Sequence, residues 1–195
     1  MDQSRIWLVG GCSLALGIIL FCVMAGSYTS LWRTQNRINT IRGYLLDDCD
    51  AQVAAARDLI KEISGSTALK EAHREQIDIL ANRISQAQNT LAEIRKSEAI
   101  MTREQVLGLD QVMAGLKTDI LALTRDRADG LDKRLANRLK EIQGDLLGMV
   151  RKYNDEADYF NERKTVFPGF LVAKWFSLDE IQYPQFEISL LSTGQ

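Results

Sequence analysis

The residues of this chain that could take part in chemistry are few and widely spaced. The single histidine, His73, has no cysteine or second histidine near it, so we expect it at the edge of a helix–helix seam rather than at a metal. The acidic run Asp47-Asp48-Asp50 could bind a cation, but a solvated turn of helix is the favoured interpretation. No glycine-rich phosphate loop is present, and no nucleophile stands among residues that would activate it. The sequence therefore predicts a protein that is not an enzyme and that holds no metal or cofactor.

Two asparagines form the pattern that most resembles a binding site. Asn154 and Asn161 are seven residues apart, and each directly follows an aromatic residue, Tyr153 or Phe160. Residues at this spacing share one face of a helix. The pair could contact a ligand or a partner, but a buried polar pair that fixes helix register is the favoured hypothesis. In either case we expect Tyr153 and Phe160 to pack inside a bundle against the first helix.

The composition is that of a helical chain without a global electrostatic target. The 195 residues carry 24 basic and 26 acidic side chains, a balance that gives no indication of nucleic-acid binding. The three cysteines form neither a metal cluster nor a disulfide framework. Both prolines, Pro168 and Pro184, lie near the C-terminus, so no residue before position 168 must break a helix.

An uncharged segment at residues 6–32 predicts a transmembrane helix. Its apolar part, residues 6–25, contains 20 residues, which rise about 30 Å as a helix and match the hydrocarbon thickness of a bilayer. Trp7 lies near one end and Tyr28 and Trp32 near the other, as interfacial aromatic residues do. A cleaved signal peptide and a lipidated cysteine are open alternatives, and a retained span is favoured.

Charged residues beside this segment indicate its orientation. Arg5 lies before it, whereas Arg33, Arg37 and Arg42 lie after it. The positive-inside rule therefore favours a cytoplasmic C-terminal domain. The single cysteine of that domain, Cys49, suits a reducing compartment.

Small residues line part of the predicted span. Two pairs are spaced four residues apart, Gly11 with Ala15 and Ser13 with Gly17. Such pairs let two helices approach closely, so a homo-oligomer is an open alternative.

Residues 33–166 predict an antiparallel up-down bundle of long helices. Apolar residues recur at steps of three and four, and the first stripe continues from the span without interruption. Residues 64–66 and 129–130 are turn signals, and Thr102 with Gln105 forms a capping box. The fold class is therefore all-α, with an N-terminal transmembrane helix before the bundle. The residues expected to be buried are Ile38, Ile41, Leu45, Cys49, Val53, Ala56, Ile60, Ile63, Ile77, Leu80, Ile84, Ala87, Leu91, Ile94, Leu109, Val112, Leu116, Ile120, Leu123, Leu131, Leu135, Ile142, Leu146, Met149, Tyr153, Ala157 and Phe160.

The C-terminal segment, residues 167–195, is predicted to lie at the membrane, because the fourth helix of an up-down bundle returns to the end where the first begins. Residues 33–152 contain one aromatic residue, whereas residues 153–186 contain nine. Pro168 breaks the fourth helix. The aromatic residues after it form either a foot in the membrane surface or a cap over the end of the bundle core. The residues predicted at the membrane interface are Trp7, Trp32, Phe170, Trp175 and Phe176.

An aromatic–Asn pair that recurs after one heptad, followed by Phe-Pro, forms a motif near the C-terminus. Its residues, with two from the N-terminal half, are Asn36, Asp58, Tyr153, Asn154, Phe160, Asn161, Phe167 and Pro168. This pattern resembles the signature of the LemA family, although Lys61 and Glu62 replace a Pro-Asn pair of that family. The resemblance implies a bacterial, membrane-anchored helical bundle without an established enzymatic activity. Some members of the family act in magnetosome-membrane formation.

Two classes of function follow from these patterns. The favoured one is a non-catalytic, membrane-anchored helical scaffold or interaction protein of the LemA type. Its expected partners are the lipid bilayer and an unidentified protein, and no nucleic acid. The alternative is an accessory subunit of a membrane enzyme or transport system. With the resemblance, we expect a single-pass protein of the bacterial inner membrane whose soluble domain is cytoplasmic.

Overall fold

The chain is helical throughout the residues that the structure describes. The computed structural model describes residues 3–65, 67–97, 100–125 and 133–187, and no strand occurs within these ranges. The predicted all-α fold class is therefore confirmed for these residues. The helices are α1 (Gln3–Ser64), α2 (Thr67–Ala72), α3 (Arg74–Lys96), α4 (Arg103–Arg125), α5 (Lys133–Arg163) and α6 (Gly169–Trp175).

The chain divides into two compact units. Unit 1 comprises Met1–Ile38 and Glu156–Tyr183, and unit 2 comprises Asn39–Asp155 and Pro184–Gln195. Both α1 and α5 contribute residues to each unit. The domain boundaries predicted from the sequence stay predictions.

α1 joins the predicted span and the first amphipathic stripe in one helix of 62 residues. No proline occurs in this stretch, so no residue forces the helix to end where the span ends. The helix ends at Ser64, and the Gly65 N–H donates to the Lys61 carbonyl oxygen at 3.0 Å. The continuous helix and the turn after it agree with the sequence prediction, although Ser66 lies outside the described residues.

α3 and α4 pack together through two regular apolar seams. The residues predicted for the seam of α3 are all buried. In α4 the predicted Val112 is half-buried, and Met113 is buried in its place. The seam of α4 alternates steps of three and four from Val106, so the step after Leu109 is four. The buried seam residues are Ile77, Leu80, Ile84, Ala87, Leu91 and Ile94 in α3, and Val106, Leu109, Met113, Leu116, Ile120 and Leu123 in α4.

The starts of α4 and α3 differ in how well the sequence predicts them. The Thr102 N–H donates to Gln105 Oε1 at 3.0 Å, and the Gln105 N–H donates to Thr102 Oγ1 at 3.2 Å. This capping box satisfies backbone donors that the first turn of a helix leaves unpaired, as predicted. His73 instead lies at the junction of α2 and α3, not in a helical seam, with its Nδ1 atom 2.8 Å from Gln76 Oε1.

Ion pairs connect helices within unit 2. Arg83 Nε of α3 lies 3.1 Å from Asp119 Oδ2 of α4. Both residues are a similar number of positions along the chain from the connection between these helices, as antiparallel packing requires. The Arg83 side chain passes over Gly115, where an added Cβ would lie 2.9 Å from the guanidinium carbon. Arg138 Nη1 of α5 lies 3.8 Å from Asp58 Oδ2 of α1.

Arg42, which the sequence analysis assigns to the charged flank of the span, caps the end of α3. Its Nη2 atom donates to the carbonyl oxygens of Ile94 and Ser97 at 2.7 and 2.8 Å. The last carbonyl groups of a helix have no partner within the helix, and the negative end of the helix dipole favours a cation there. Arg42 thus holds α1 and α3 together within unit 2.

α5 ends at Arg163, three residues before its predicted end. The Thr165 N–H donates to the Glu162 carbonyl oxygen at 3.0 Å, a tighter turn that closes the helix. Val150 is buried, whereas the predicted Met149 is half-buried. The predicted turn at residues 129–130, Leu131 and the side chain of Leu135 lie outside the described part of the chain. The buried residues of α5 are Leu139, Leu146, Val150, Tyr153, Ala157 and Phe160.

Candidate functional site: the C-terminal motif and the exposed aromatic residues

The Tyr-Asn pair of α5 binds one residue of the C-terminal segment within unit 2. Asn154 Nδ2 donates to the Phe186 carbonyl oxygen, and Asn154 Oδ1 accepts from the Phe186 N–H, both at 2.9 Å. The Tyr153 and Phe186 rings meet edge to face, with centroids 5.3 Å apart and an interplanar angle of 78°. One aromatic–Asn pair therefore binds the backbone and the ring of the same residue, an arrangement that we call an aromatic–Asn clamp.

The Phe-Asn pair one heptad later forms the same clamp within unit 1. Asn161 Nδ2 donates to the Tyr183 carbonyl oxygen at 2.8 Å, and its Oδ1 accepts from the Tyr183 N–H at 3.2 Å. The Phe160 and Tyr183 rings meet at 89° with centroids 5.0 Å apart. Burial raises the pKa of Tyr183 to about 12, so its hydroxyl stays protonated at neutral pH.

Both asparagines have a structural role, but they do not fix the register between helices as the favoured hypothesis expects. Each half-buried amide binds the backbone of a residue outside the regular helices, not a side chain on a neighbouring helix. Residues in such a segment carry N–H and C=O groups that secondary structure does not satisfy, and one amide side chain satisfies both. Tyr153 and Phe160 are 1% and 0% exposed, so both lie in the core as predicted.

A tight connection places α6 beside the end of α5 in unit 1. An added Cβ at Gly169 would overlap the Arg163 carbonyl oxygen, so glycine is required at this close approach. Lys164 Nζ donates to the carbonyl oxygens of Asp179 and Ile181. Burial lowers the pKa of Lys164. Lys164 therefore acts as a structural link to the segment after α6.

The predicted membrane-interface residues in the described chain are all exposed, while the side chain of Trp7 lies outside it. Within α6, Gly169, Val172 and Ala173 are buried. α6 therefore packs through small and aliphatic residues and not through the aromatic residues that the cap hypothesis places on the core, and it presents its aromatic rings to the surroundings. The exposed fractions are 52% for Trp32, 44% for Phe170, 73% for Trp175 and 52% for Phe176.

Apolar side chains in the first part of α1 are exposed as well. Within the described residues, one helix is long and apolar enough to cross a membrane, and 11% of its apolar window is buried. The core helix of a soluble protein would bury most of this surface. An added Cβ at Gly11 or Gly17 would meet nothing within 4 Å, so no other part of this chain packs closely against these glycines. Self-association through the small residues stays a prediction. The exposed apolar residues are Leu14, Leu16, Ile18, Ile19, Leu20, Phe21 and Val23.

The acidic run of α1 is engaged by an arginine within unit 2. Arg95 Nη2 lies 2.9 Å from Asp47 Oδ1 and 2.7 Å from Asp50 Oδ2. Asp48 is half-buried, and its burial, with Asp145 and Asp47 nearby, raises its pKa. Asp47 and Asp50 are exposed to solvent, as the prediction of a solvated turn expects, and form surface ion pairs with Arg95. Within the described ranges, no group of three or more His, Cys, Asp or Glu residues could hold a metal ion.

The other residues of the family-like motif lie at or near the surface. Asn36 and Asp58 are exposed on α1. Phe167 is 62% exposed and precedes Pro168 through a cis peptide bond. The clamps are therefore the part of the motif with a defined joint role.

A buried carboxylate outside the predicted site residues also binds the C-terminal segment in unit 2. Asp110 of α4 is 1% exposed, and its Oδ2 atom accepts from the Glu187 N–H at 2.9 Å. Asp110 lines a small, mainly apolar cavity with Cys49 and Phe186. Burial raises the pKa of Asp110, against the lowering effect of the hydrogen bond from Glu187. Its position directly after the seam residue Leu109 is the sequence signal that could have identified it.

We expect Asp110→Asn to remove a pH-dependent component of stability. Because the folded-state pKa of Asp110 is raised, its contribution is most favourable below the unfolded carboxyl pKa, near 4, and is lost as pH rises through the folded value. The stability of the variant relative to the wild type should therefore increase as the pH rises from 4 to 7. Denaturant midpoints across this range measure it, with the exposed Asp78→Asn as control. A difference that stays constant with pH would contradict the assignment.

The thiol and amide groups near the C-terminal motif are buried or bound by the chain itself. The Cys49 thiol is 1% exposed, and burial raises its pKa, so it is not a reactive nucleophile. The Asn154 and Asn161 amides are engaged by the chain's own backbone in this structure. No protein-family model, no curated protein and no solved structure matches this chain.

Proposed function

We propose that this protein is a membrane-anchored helical scaffold or interaction protein with a single span, and that it is not an enzyme. The observation that carries the proposal is the exposed apolar surface at the start of α1, on a helix that continues to Ser64. Exposed apolar area costs roughly 25 cal/mol per Å² in water, and hydrocarbon removes this cost. The long helices and their ion-paired contacts suit a protein that presents a stable surface to partners.

A retained span is better supported than a cleaved signal peptide. Ser27, Leu31, Thr34 and Ile38 follow the apolar segment on α1, and all four are buried within unit 1. The apolar segment is therefore joined to packed residues by uninterrupted helix. A signal peptide normally has an apolar region of about 7–15 residues, shorter than the 20 residues of this segment.

We further propose that the protein is of the LemA type. The clamp residues on α5 are the same residues that carry the resemblance, which gives the motif a physical reason to recur as a unit. The family resemblance suggests the bacterial inner membrane. The positive flank of Arg33, Arg37 and Arg42 favours a cytoplasmic soluble domain.

Alkaline carbonate extraction of membranes tests the proposed span. The intact chain should remain in the pellet, and its mass should show that the N-terminal segment is retained. The matched control carries Leu16→Arg with Ile19→Arg, which places two charges in the span at about 2.5–3.5 kcal/mol each and should move the protein to the soluble fraction. Release of the intact wild-type chain into the supernatant would overturn the proposal.

A further inference from the structure

We propose that α6 and its flanking aromatic residues form a second membrane contact, seated in the headgroup region of the leaflet from which the span emerges. The contact, which we call the aromatic foot, consists of Phe167, Phe170, Trp175 and Phe176. The inference rests on the proposed function, because it takes the apolar start of α1 as a transmembrane helix. It adds a second point of attachment that fixes how unit 1 is oriented on the bilayer.

The foot residues are exposed although the helix that carries them is anchored. Between 44% and 73% of each foot side chain is exposed. An aromatic side chain buries about 150–250 Å² when it is covered, so four of them form an apolar surface that soluble monomers rarely expose. Val172 and Ala173 of α6 are 1% and 0% exposed, so turning α6 to bury the rings would expose these residues.

The contact with Tyr28 of α1 determines the depth of the foot in the membrane relative to the span. The Tyr28 and Phe176 ring centroids are 4.4 Å apart, within unit 1. Tyr28 follows the last residue of the apolar segment, Ala25, by about 4.5 Å of helix rise. The headgroup region on each side of the hydrocarbon core is about 5–7 Å thick. A ring in contact with Tyr28 therefore lies in the headgroup region.

The charges around the foot are balanced, which favours binding to a lipid surface through apolar side chains rather than through charge. Lys174 and Arg33 are exposed cations, and the exposed anions Asp179 and Glu180 balance them. The Lys164 ammonium group is engaged by two backbone carbonyl oxygens. With no excess of positive charge, insertion depends on the partitioning of Trp and Phe into the interface. Zwitterionic phosphatidylcholine should therefore suffice, and added salt should have little effect.

Single-tryptophan variants of the full chain in phosphatidylcholine vesicles test the foot. Trp7→Phe with Trp32→Phe leaves Trp175 alone, and bromine atoms attached to the lipid chains near the headgroup or near the chain ends quench tryptophan by contact. We expect Trp175 to lose about half of its fluorescence to bromines near the headgroup and less to bromines near the chain ends, at low and high salt alike.

Two matched variants separate the possible outcomes. A chain whose single tryptophan is Trp7 reports on the span, and Tyr44→Trp in a background without other tryptophans places the probe about 28 Å along α1 from Ala25, where no quenching is expected. Quenching of Trp7 without quenching of Trp175 overturns the foot and leaves the span intact. Loss of quenching at both sites overturns the proposed function itself. If the emission of Trp175 changes with the protein-to-lipid ratio but is not quenched by bromine, a second copy of the chain covers this surface. This result also overturns the foot.

Discussion

Replacing Phe160 with alanine is expected to lower the free energy of unfolding by about 3–5 kcal/mol, the range for large aromatic deletions in protein cores. Phe160 is 0% exposed, and its ring meets the Tyr183 ring edge to face. Truncation therefore leaves a cavity and also removes an aromatic pair, which itself contributes about 0.5–1.5 kcal/mol. Denaturant unfolding of the full chain in detergent, followed by near-ultraviolet circular dichroism, measures the change.

The neighbouring tyrosine provides the matched control. Tyr159 is 45% exposed, so Tyr159→Ala should change stability by less than about 1 kcal/mol. If the Phe160→Ala chain does not fold, Phe160→Leu retains part of the buried volume and should show a smaller loss of the same sign. Equal effects of the Phe160 and Tyr159 substitutions would show that the clamp does not lie in the core.

Replacing Asn154 with alanine is expected to speed amide exchange at Phe186 about 10- to 100-fold, which corresponds to about 1.4–2.8 kcal/mol of local stability. The Asn154 side chain makes two hydrogen bonds to Phe186, and the Phe186 N–H is one of the two partners. Its loss leaves both backbone groups without that partner. Hydrogen–deuterium exchange of the full chain in detergent measures the effect at this amide.

Two further variants make this result specific. Asn39 is exposed on α1, and Asn39→Ala should leave exchange at Phe186 unchanged. Asn154→Asp keeps an acceptor for the Phe186 N–H and loses only the donor to the carbonyl oxygen, so exchange at this amide should rise less than in the alanine variant. If exchange at Phe186 is the same in the wild type and in Asn154→Ala, the amide does not hold the segment.

The helices of this protein follow from local spacing. The seam of α3 consists of the six residues that the alternation of three and four identifies, and the capping box of Thr102 and Gln105 begins α4. Both features depend on residues within one or two turns of each other, where helix geometry fixes the neighbours. Ile60, Val112 and Met149 are half-buried, and in each case a neighbouring residue is buried instead, which is an error of one position within a correct stripe.

Contacts between distant parts of the chain were not predictable in the same way. The sequence places Arg42 in the positively charged flank of the predicted span, yet in the structure it caps α3. Asp47 and Asp50 are exposed as predicted, but the sequence did not indicate that both pair with Arg95. These partners lie 45 or more residues away along the chain, where periodicity carries no information about which residues meet.

The sequence by itself determined that the chain is helical, where α1 ends and α4 begins, and that one segment is apolar enough to cross a membrane. Those properties are set by residues close in the chain, through backbone geometry and transfer to hydrocarbon. The tertiary structure alone decided what Asn154 and Asn161 bind. Their spacing predicts a shared helix face, but an amide accepts a backbone, a side chain or a ligand equally well. Which of these it meets depends on where the segment after Pro168 folds, and that is decided by burial of Phe186 and Tyr183 against α5.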